Sequence, residues 1–229
     1  MDIGAWEEGI FLERPNRFLA LVELDGVRAE AHVPDPGRLA ELLLPGARVR
    51  LRSARTRGRR TAWDMIGVEC PRGWVNIDSR LPNLLFAEAV REGRLGGFDP
   101  ACSITPEYHF GHSRLDFRLD CGDEPCLVEV KGCTLVEEGV ALFPDAPTSR
   151  GARHVEELAE AALEGWRACA VFVVKHPGAE RFRPNAATDP DFASALRRAF
   201  SAGVEVLACL APWRGREIRV ERALPVDLE

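Results

Sequence analysis

Two unbroken apolar runs, Ala168 to Val174 and Val204 to Leu210, restrict the fold of this chain more than any other feature. Alternation would mark strands with one wet face. Runs without it mark strands covered on both faces, as in a parallel sheet clad by helices. Between them Asp189-Pro190 opens a helix that stops at Gly203. Strand, helix, strand of this length predicts a right-handed parallel crossover. Upstream, Ala152, Val155, Ala159 and Leu163 make the apolar face of a helix from Ser149 to about Glu164, with Gly165 behind it. Further upstream the pattern predicts a helix from Asn83, read as its cap, to Glu92. Strands follow at Ala101 to His109, Ser113 to Asp120 and Cys126 to Lys131. Helix, three strands, helix, strand, helix, strand is a mixed α/β domain over residues 81–229.

The first 80 residues have another texture. Short strands are expected at Arg17 to Leu24, Val27 to Val33, Ala47 to Ser53, Thr61 to Glu69 and Trp74 to Ile77, with Asp25-Gly26 as the hairpin turn between the first two. Pro34-Asp35-Pro36-Gly37 and Pro45-Gly46 bracket a helical turn from Arg38 to Leu44. Such a set of strands fits a small barrel or a sandwich. Charge divides at the same place: residues 1–80 carry a net of +1 and residues 81–229 a net of −7, within a total of −6. From Gly46 to Trp63 there is no acid, but Arg48, Arg50, Arg52, Arg55, Arg57, Arg59 and Arg60 all fall there. Val49 and Leu51 alternate with the first of these, so a strand puts Arg48, Arg50 and Arg52 on one face. A row of guanidinium groups suits phosphate backbones, and this stretch is the expected DNA contact.

Composition closes off other classes. Hydrophobic residues make up 46% and charged residues 29% of the 229, the balance of a folded globular chain. No apolar run approaches the roughly 18 residues of a membrane span. Met1 to Pro15 carries acids and lacks a basic leader, so neither a membrane partner nor a signal peptide is expected. The seven cysteines have no C-x-x-C pair and sit mostly in strand-like runs (Cys102, Cys126, Cys169, Cys209). That reads as reduced cysteine in a cytoplasmic protein, and Cys121 with Cys126 lacks the further ligands of a zinc site. No feature of the sequence sets an oligomeric state.

Chemistry gathers between Ser113 and Lys131. Leu115, Phe117 and Leu119 are expected on one strand face, with Asp116 and Arg118 on the other; in the next strand Glu129 and Lys131 share a face. Gly122-Asp123 suits a two-residue hairpin turn, and the register it dictates sets Asp116 opposite Glu129, with Cβ atoms about 4.5–5.5 Å apart. Facing carboxylates repel unless a cation, a shared proton or solvent relieves them. Lys131 is the nearest counter-charge and one of only two lysines, with Lys175, beside 28 arginines. The expected occupant is a hard divalent cation, Mg2+ or Mn2+, held by Asp116, Glu129, the backbone of Val130 and Glu88 from the preceding helix. Acidified water is the expected nucleophile toward a phosphodiester, with Lys131 orienting it or stabilising the charge that develops. The connection from Gly132 to Thr148 is long, which points to function or to a small hairpin at Glu138-Gly139. Where it enters the helix, Asp145, Thr148, Arg150 and His154 are candidate accessory groups, since a helix N-terminus can bind phosphate.

Asp116 with Glu129-Val130-Lys131, in this order of elements, resembles the PD-(D/E)XK nuclease superfamily, although Leu115 stands where that motif has Pro. Longer segments resemble the sugar fermentation stimulation protein A (SfsA) family. They are Phe11-Leu12-Glu13-Arg14-Pro15-Asn16-Arg17-Phe18, Val75-Asn76-Ile77-Asp78, Arg80-Leu81-Pro82-Asn83, Val128-Glu129-Val130-Lys131-Gly132, Phe143-Pro144-Asp145-Ala146-Pro147-Thr148 and Phe182-Arg183-Pro184-Asn185. Pro34-Asp35-Pro36-Gly37 departs from the family's usual Pro-Asn-Thr-Gly. The resemblance implies an N-terminal OB-like β-barrel over residues 1–80, a PD-(D/E)XK nuclease-like αβββαβ domain over 81–229, and DNA binding. Two functions are thereby expected to compete: a DNA-binding protein with a Mg2+-dependent phosphodiesterase site, and a non-catalytic DNA-binding regulator of sugar (maltose) metabolism genes. A small-molecule sensor is a third.

Overall fold

The computed structural model describes residues 1–54, 60–111, 113–122 and 124–229. Its first part holds β1 (Glu7–Asn16), β2 (Leu19–Leu24), β3 (Val27–His32), β4 (Arg48–Ser53), β5 (Trp63–Cys70) and β6 (Gly73–Asn76). β1 pairs with β2 and β4, β2 with β3, β3 in parallel with β5, and β5 with β4. That circuit returns to β1, so among the described residues five strands close into an OB-like barrel. Closure removes edges that short strands would otherwise expose. Phe11, Val22, Val33, Leu39, Val49, Leu51, Met65 and Val68 fill the interior.

The second part runs α1 (Leu81–Arg91), β7 (Ser103–Phe110), β8 (Ser113–Cys121), β9 (Glu124–Cys133), β10 (Val136–Glu137), β11 (Val140–Phe143), α2 (Ser149–Leu163) and β12 (Arg167–Val174). After these come β13 (Arg181–Pro184), α3 (Pro190–Ser201), β14 (Glu205–Leu210), β15 (Trp213–Arg214), β16 (Glu217–Ile218) and β17 (Arg222–Leu224). The main sheet has the order β17-β14-β12-β9-β8-β7, with β9, β12 and β14 parallel, as the apolar runs require. One face packs Val128, Val130, Val171 and Val173 under Leu85, Phe86 and Val90 of α1. The other packs Leu127, Ala170, Phe172 and Val174 under Val155 and Leu158 of α2 and Phe192 and Leu196 of α3. Each strand residue is therefore buried whichever way it points, and the sequence shows no alternation. β10 and β11 form the hairpin across Glu138-Gly139.

Four local expectations are corrected. β1 escapes the strand pattern because charges, Gly9 and Pro15 interrupt its alternation, and the ladder with β2 shifts register twice. Arg38 to Leu44 holds a single turn, with the Leu43 N–H donating to the Leu39 carbonyl at 2.9 Å, but Leu39 lies in the left-handed region at φ 51° and not in helical geometry. Helix α1 begins at Leu81, because Pro82 suits its first turn; Asn83 is thus inside the helix and is not its cap. Cys70, Cys126, Cys133, Cys169 and Cys209 are free thiols, but Cys102 is disulfide-bonded. Among the described residues no helix is long and apolar enough to cross a membrane. Near the C-terminus the chain returns to the barrel, where Trp213 of β15 pairs with Trp74 of β6.

Candidate active site

The β8–β9 ladder runs from Cys121↔Glu124 to Phe117↔Val128, the register that a turn at residues 122–123 dictates. It ends one pair short of Asp116 and Glu129. Asp116 is also skipped by the β7–β8 ladder, which passes from Pro106↔Phe117 to Tyr108↔Leu115 across Glu107, whose φ is 54°. Side chains take over there: the Val130 N–H donates to Asp116 Oδ2 at 2.8 Å, and the Asp116 N–H to Glu129 Oε2 at 3.3 Å. The break also reverses the strand's alternation. Phe117 and Leu119 pack on the α1 side, whereas Leu115 packs on the α2 side, so the three do not share a face as periodicity predicted.

Helices hold the two carboxylates from opposite sides. From the first turn of α1, Asn83 Nδ2 donates to Asp116 Oδ1 at 2.8 Å. From α2, His154 Nδ1 meets Glu129 Oε1, which also takes the Lys131 ammonium. Arg150 Nε donates to His154 Nε2 at 3.4 Å, which places the imidazole proton on Nδ1, facing Glu129. Glu129 is 2% exposed. Burial works against its ionisation, yet the His154 hydrogen bond and the Lys131 charge outweigh it and hold the carboxyl below its ordinary value. Burial and the neighbouring Glu129 charge push Asp116 the other way, above its ordinary value. Two carboxylates thus share one adjacent ammonium, that of Lys131.

Other predicted residues are engaged elsewhere. Glu88 pairs with the Met1 ammonium at 3.1 Å and with Arg94 at 3.3 Å, and does not join the carboxylates. The arginine row is answered by acids around it: Arg48 by Glu8 of β1 and Glu69 of β5, and Arg52 by Asp78, just past β6, at 3.2 Å. Arg50 contacts Glu8 and lies over the rings of Trp6, Trp74 and Trp213, at 4.4, 3.9 and 4.6 Å from their centroids. Arg60 is exposed, 3.7 Å from Glu30. Arg55, Arg57 and Arg59 lie outside the described residues. Asn83 escaped sequence reasoning as a site residue because its type and place read as a cap; Pro82, one residue earlier, was the signal that the helix had already begun.

Thr148 caps α2, accepting from the Gly151 N–H at 3.0 Å. Asp145 accepts the Leu39 N–H of the barrel loop at 3.2 Å. A cavity of 630 Å3 lies between that loop and the carboxylate pair, bordered by Gly37, Lys131, Asp145, Thr148 and Lys175. Among the described residues no three His, Cys, Asp or Glu side chains are grouped to hold a metal.

Residues 12–77 match the model of the SfsA N-terminal OB domain, and residues 80–216 that of the sugar fermentation stimulation protein RE domain. Sugar fermentation stimulation protein homologs are 48% identical over 199 residues in Methanothermobacter thermautotrophicus, covering 87% of this chain and 83% of that one. In Moorella thermoacetica the identity is 48% over 200 residues, covering 86% of each. The structure of Pyrococcus furiosus SfsA in complex with Ca2+ aligns at a TM-score of 0.92 with 32% identity, covering 99% of this chain and 98% of that one.

Proposed function

The chain belongs to the sugar fermentation stimulation protein (SfsA) family, and from that premise we propose that it binds DNA and hydrolyses phosphodiesters with a divalent cation held at Asp116 and Glu129, beside Lys131. The observation that carries this reading is the pair of carboxylates from adjoining strands, with Asp116 raised by burial and by the Glu129 charge. A cation at the pair relieves that repulsion. The donor set suits a hard ion: all carboxylate oxygen, few in number, leaving room for water, as Mg2+ prefers. Ca2+, with which the Pyrococcus furiosus relative is described, has the same taste for oxygen. When bound, such a cation supplies Lewis acidity toward the phosphoryl oxygens and lowers the pKa of water.

The chain's own groups do the positioning. Asn83 and the Val130 N–H fix the Asp116 carboxylate. His154 and Lys131 keep Glu129 ionised despite burial. Lys131 is 18% exposed and spends one donor on Glu129, so its other N–H groups are available to stabilise charge on a phosphoryl group.

Calorimetric titration with Mg2+ and Mn2+, followed by incubation with single- and double-stranded DNA, tests the reading on the native protein and on Asp116→Ala combined with Glu129→Ala. The native protein is expected to bind cation and cleave, and the double variant to do neither. Absence of cation binding by the native protein overturns the site. The relatives' name concerns sugar fermentation, which favours a second reading as a regulator of sugar-metabolism genes; salt-sensitive DNA retention without cleavage would support it.

A further inference from the structure

Both lysines of this arginine-rich chain line the same cavity. Lys131 belongs to the carboxylate site. Lys175, just past the end of β12, does not: its side chain is 1% exposed, and its Nζ donates to the Asp78 carbonyl at 3.1 Å. That acceptor is neutral, and among the described residues Lys175 forms no ion pair. Burial pushes its pKa below the ordinary lysine value, against the attraction of the nearby Asp35 and Asp78 carboxylates. It sits beside the backbone next to Lys131: a Cβ on Gly132 would lie 3.7 Å from its Nζ.

The opposite wall is the start of α2, where Thr148, Arg150 and Gly151 face the cavity with the positive end of a 15-residue helix. Arg17 stands exposed at the mouth. Asp35 and Asp145 also line the space: Asp35 accepts the Gly37 N–H at 2.7 Å and attracts the Lys175 ammonium, and Asp145 accepts the Leu39 N–H at 3.2 Å. With Lys131 paired to Glu129, Arg17, Arg150 and Lys175 against Asp35 and Asp145 leave the lining with a positive balance.

We propose that this cavity seats a terminal phosphate monoester, held by Lys175 and the N-terminus of α2, next to the phosphodiester site at Lys131. The proposal rests on the phosphodiester reading of that neighbouring site. A phosphate inside a strand has chain on both sides and cannot reach an ammonium this deeply buried. A monoester is attached on one side only, presents three free oxygens, and carries close to two negative charges at neutral pH. The end of a nucleic-acid strand and a free nucleotide share this chemistry.

Fluorescence anisotropy with a short labelled oligonucleotide carrying a 5′-phosphate, a 3′-phosphate or only hydroxyl ends, and calorimetry with deoxyadenosine monophosphate, separate the two. One phosphorylated form is expected to bind about tenfold tighter than the hydroxyl-ended strand, the gain from a charge-assisted hydrogen bond to phosphate. Lys175→Met should erase the preference and Arg17→Gln weaken it. Arg17 is on the surface and decides the matter if Lys175→Met does not fold. Asp116→Ala with Glu129→Ala should keep the preference, so loss of cleavage and loss of the phosphate seat are read apart. Equal affinity for all strand ends in the native protein, or a preference unchanged in both single variants, overturns the proposal. Binding of the mononucleotide without any oligonucleotide preserves the cavity, assigns it to a nucleotide, and removes the nucleic-acid reading.

Discussion

Asp78 ties the barrel to the second part of the chain through one carboxylate. It receives Arg80 at 2.8 and 2.7 Å and Arg52 at 3.2 Å, while its carbonyl takes Lys175. Burial opposes its ionisation, but the hydrogen bonds and charge of Arg80, with the charge of Arg52, prevail and hold the carboxyl below its ordinary value. The folded pKa is thus lower than the unfolded one. Its stabilisation is fully present above the ordinary aspartate value of about 3.9 and fades as pH falls through the folded value. Asp78→Asn is expected to cost about 1–3 kcal/mol at neutral pH and to flatten the acid limb of stability. Thermal melts from neutral to strongly acidic pH check both. At this scale Asp116, Glu129 and Lys131 were legible, because turn chemistry sets a hairpin register. Asn83 and His154 could not be assigned their partners, because those contacts cross between a helix and the sheet.

Among the elements, β4 tests how far a charge pattern can be trusted. Its alternation was read correctly, and Arg48, Arg50 and Arg52 do stand on it, but β1 and β6 bring Glu8 and Trp74 against them. Arg50 is an internal cation stacked on tryptophan, 11% exposed, not a free phosphate contact. Arg50→Met is expected to destabilise by about 1–2 kcal/mol and to change tryptophan fluorescence. The salt dependence of DNA retention should stay the same; a slope reduced by about one per arginine would mean that Arg50 touches phosphate after all. The row misled because β1, the source of Glu8, was the strand that the pattern hid.

Across the whole molecule, the C-terminal return to the barrel decides what is buried. The Ile3 N–H donates to the Arg216 carbonyl and the Ile218 N–H to the Met1 carbonyl, each within 3.0 Å, so the first residues are laced to the β15–β16 hairpin. Trp213 packs over Gly67 of β5, where a Cβ would approach the indole to 2.6 Å. Gly67→Ala must displace that ring, and a loss of about 1–3 kcal/mol is expected from overpacking. Thermal unfolding of the full chain measures it, and an unchanged melting temperature would show that Trp213 yields freely.

What the sequence by itself determined is local: the buried parallel strands, the helices beneath them, the hairpin and the carboxylate pair it brings together. These rest on periodicity and turn chemistry, which act over a few neighbouring residues. Only the tertiary structure decided which charges are answered and which are not. Arg48, Arg50 and Arg52, conspicuous in the sequence, are neutralised or stacked, whereas Lys175 is buried at a cavity, attracted by Asp35 and Asp78 without an ion pair among the described residues. The physical reason is that a charge's state depends on the partners and the water around it, and both are set by segments far away in the chain.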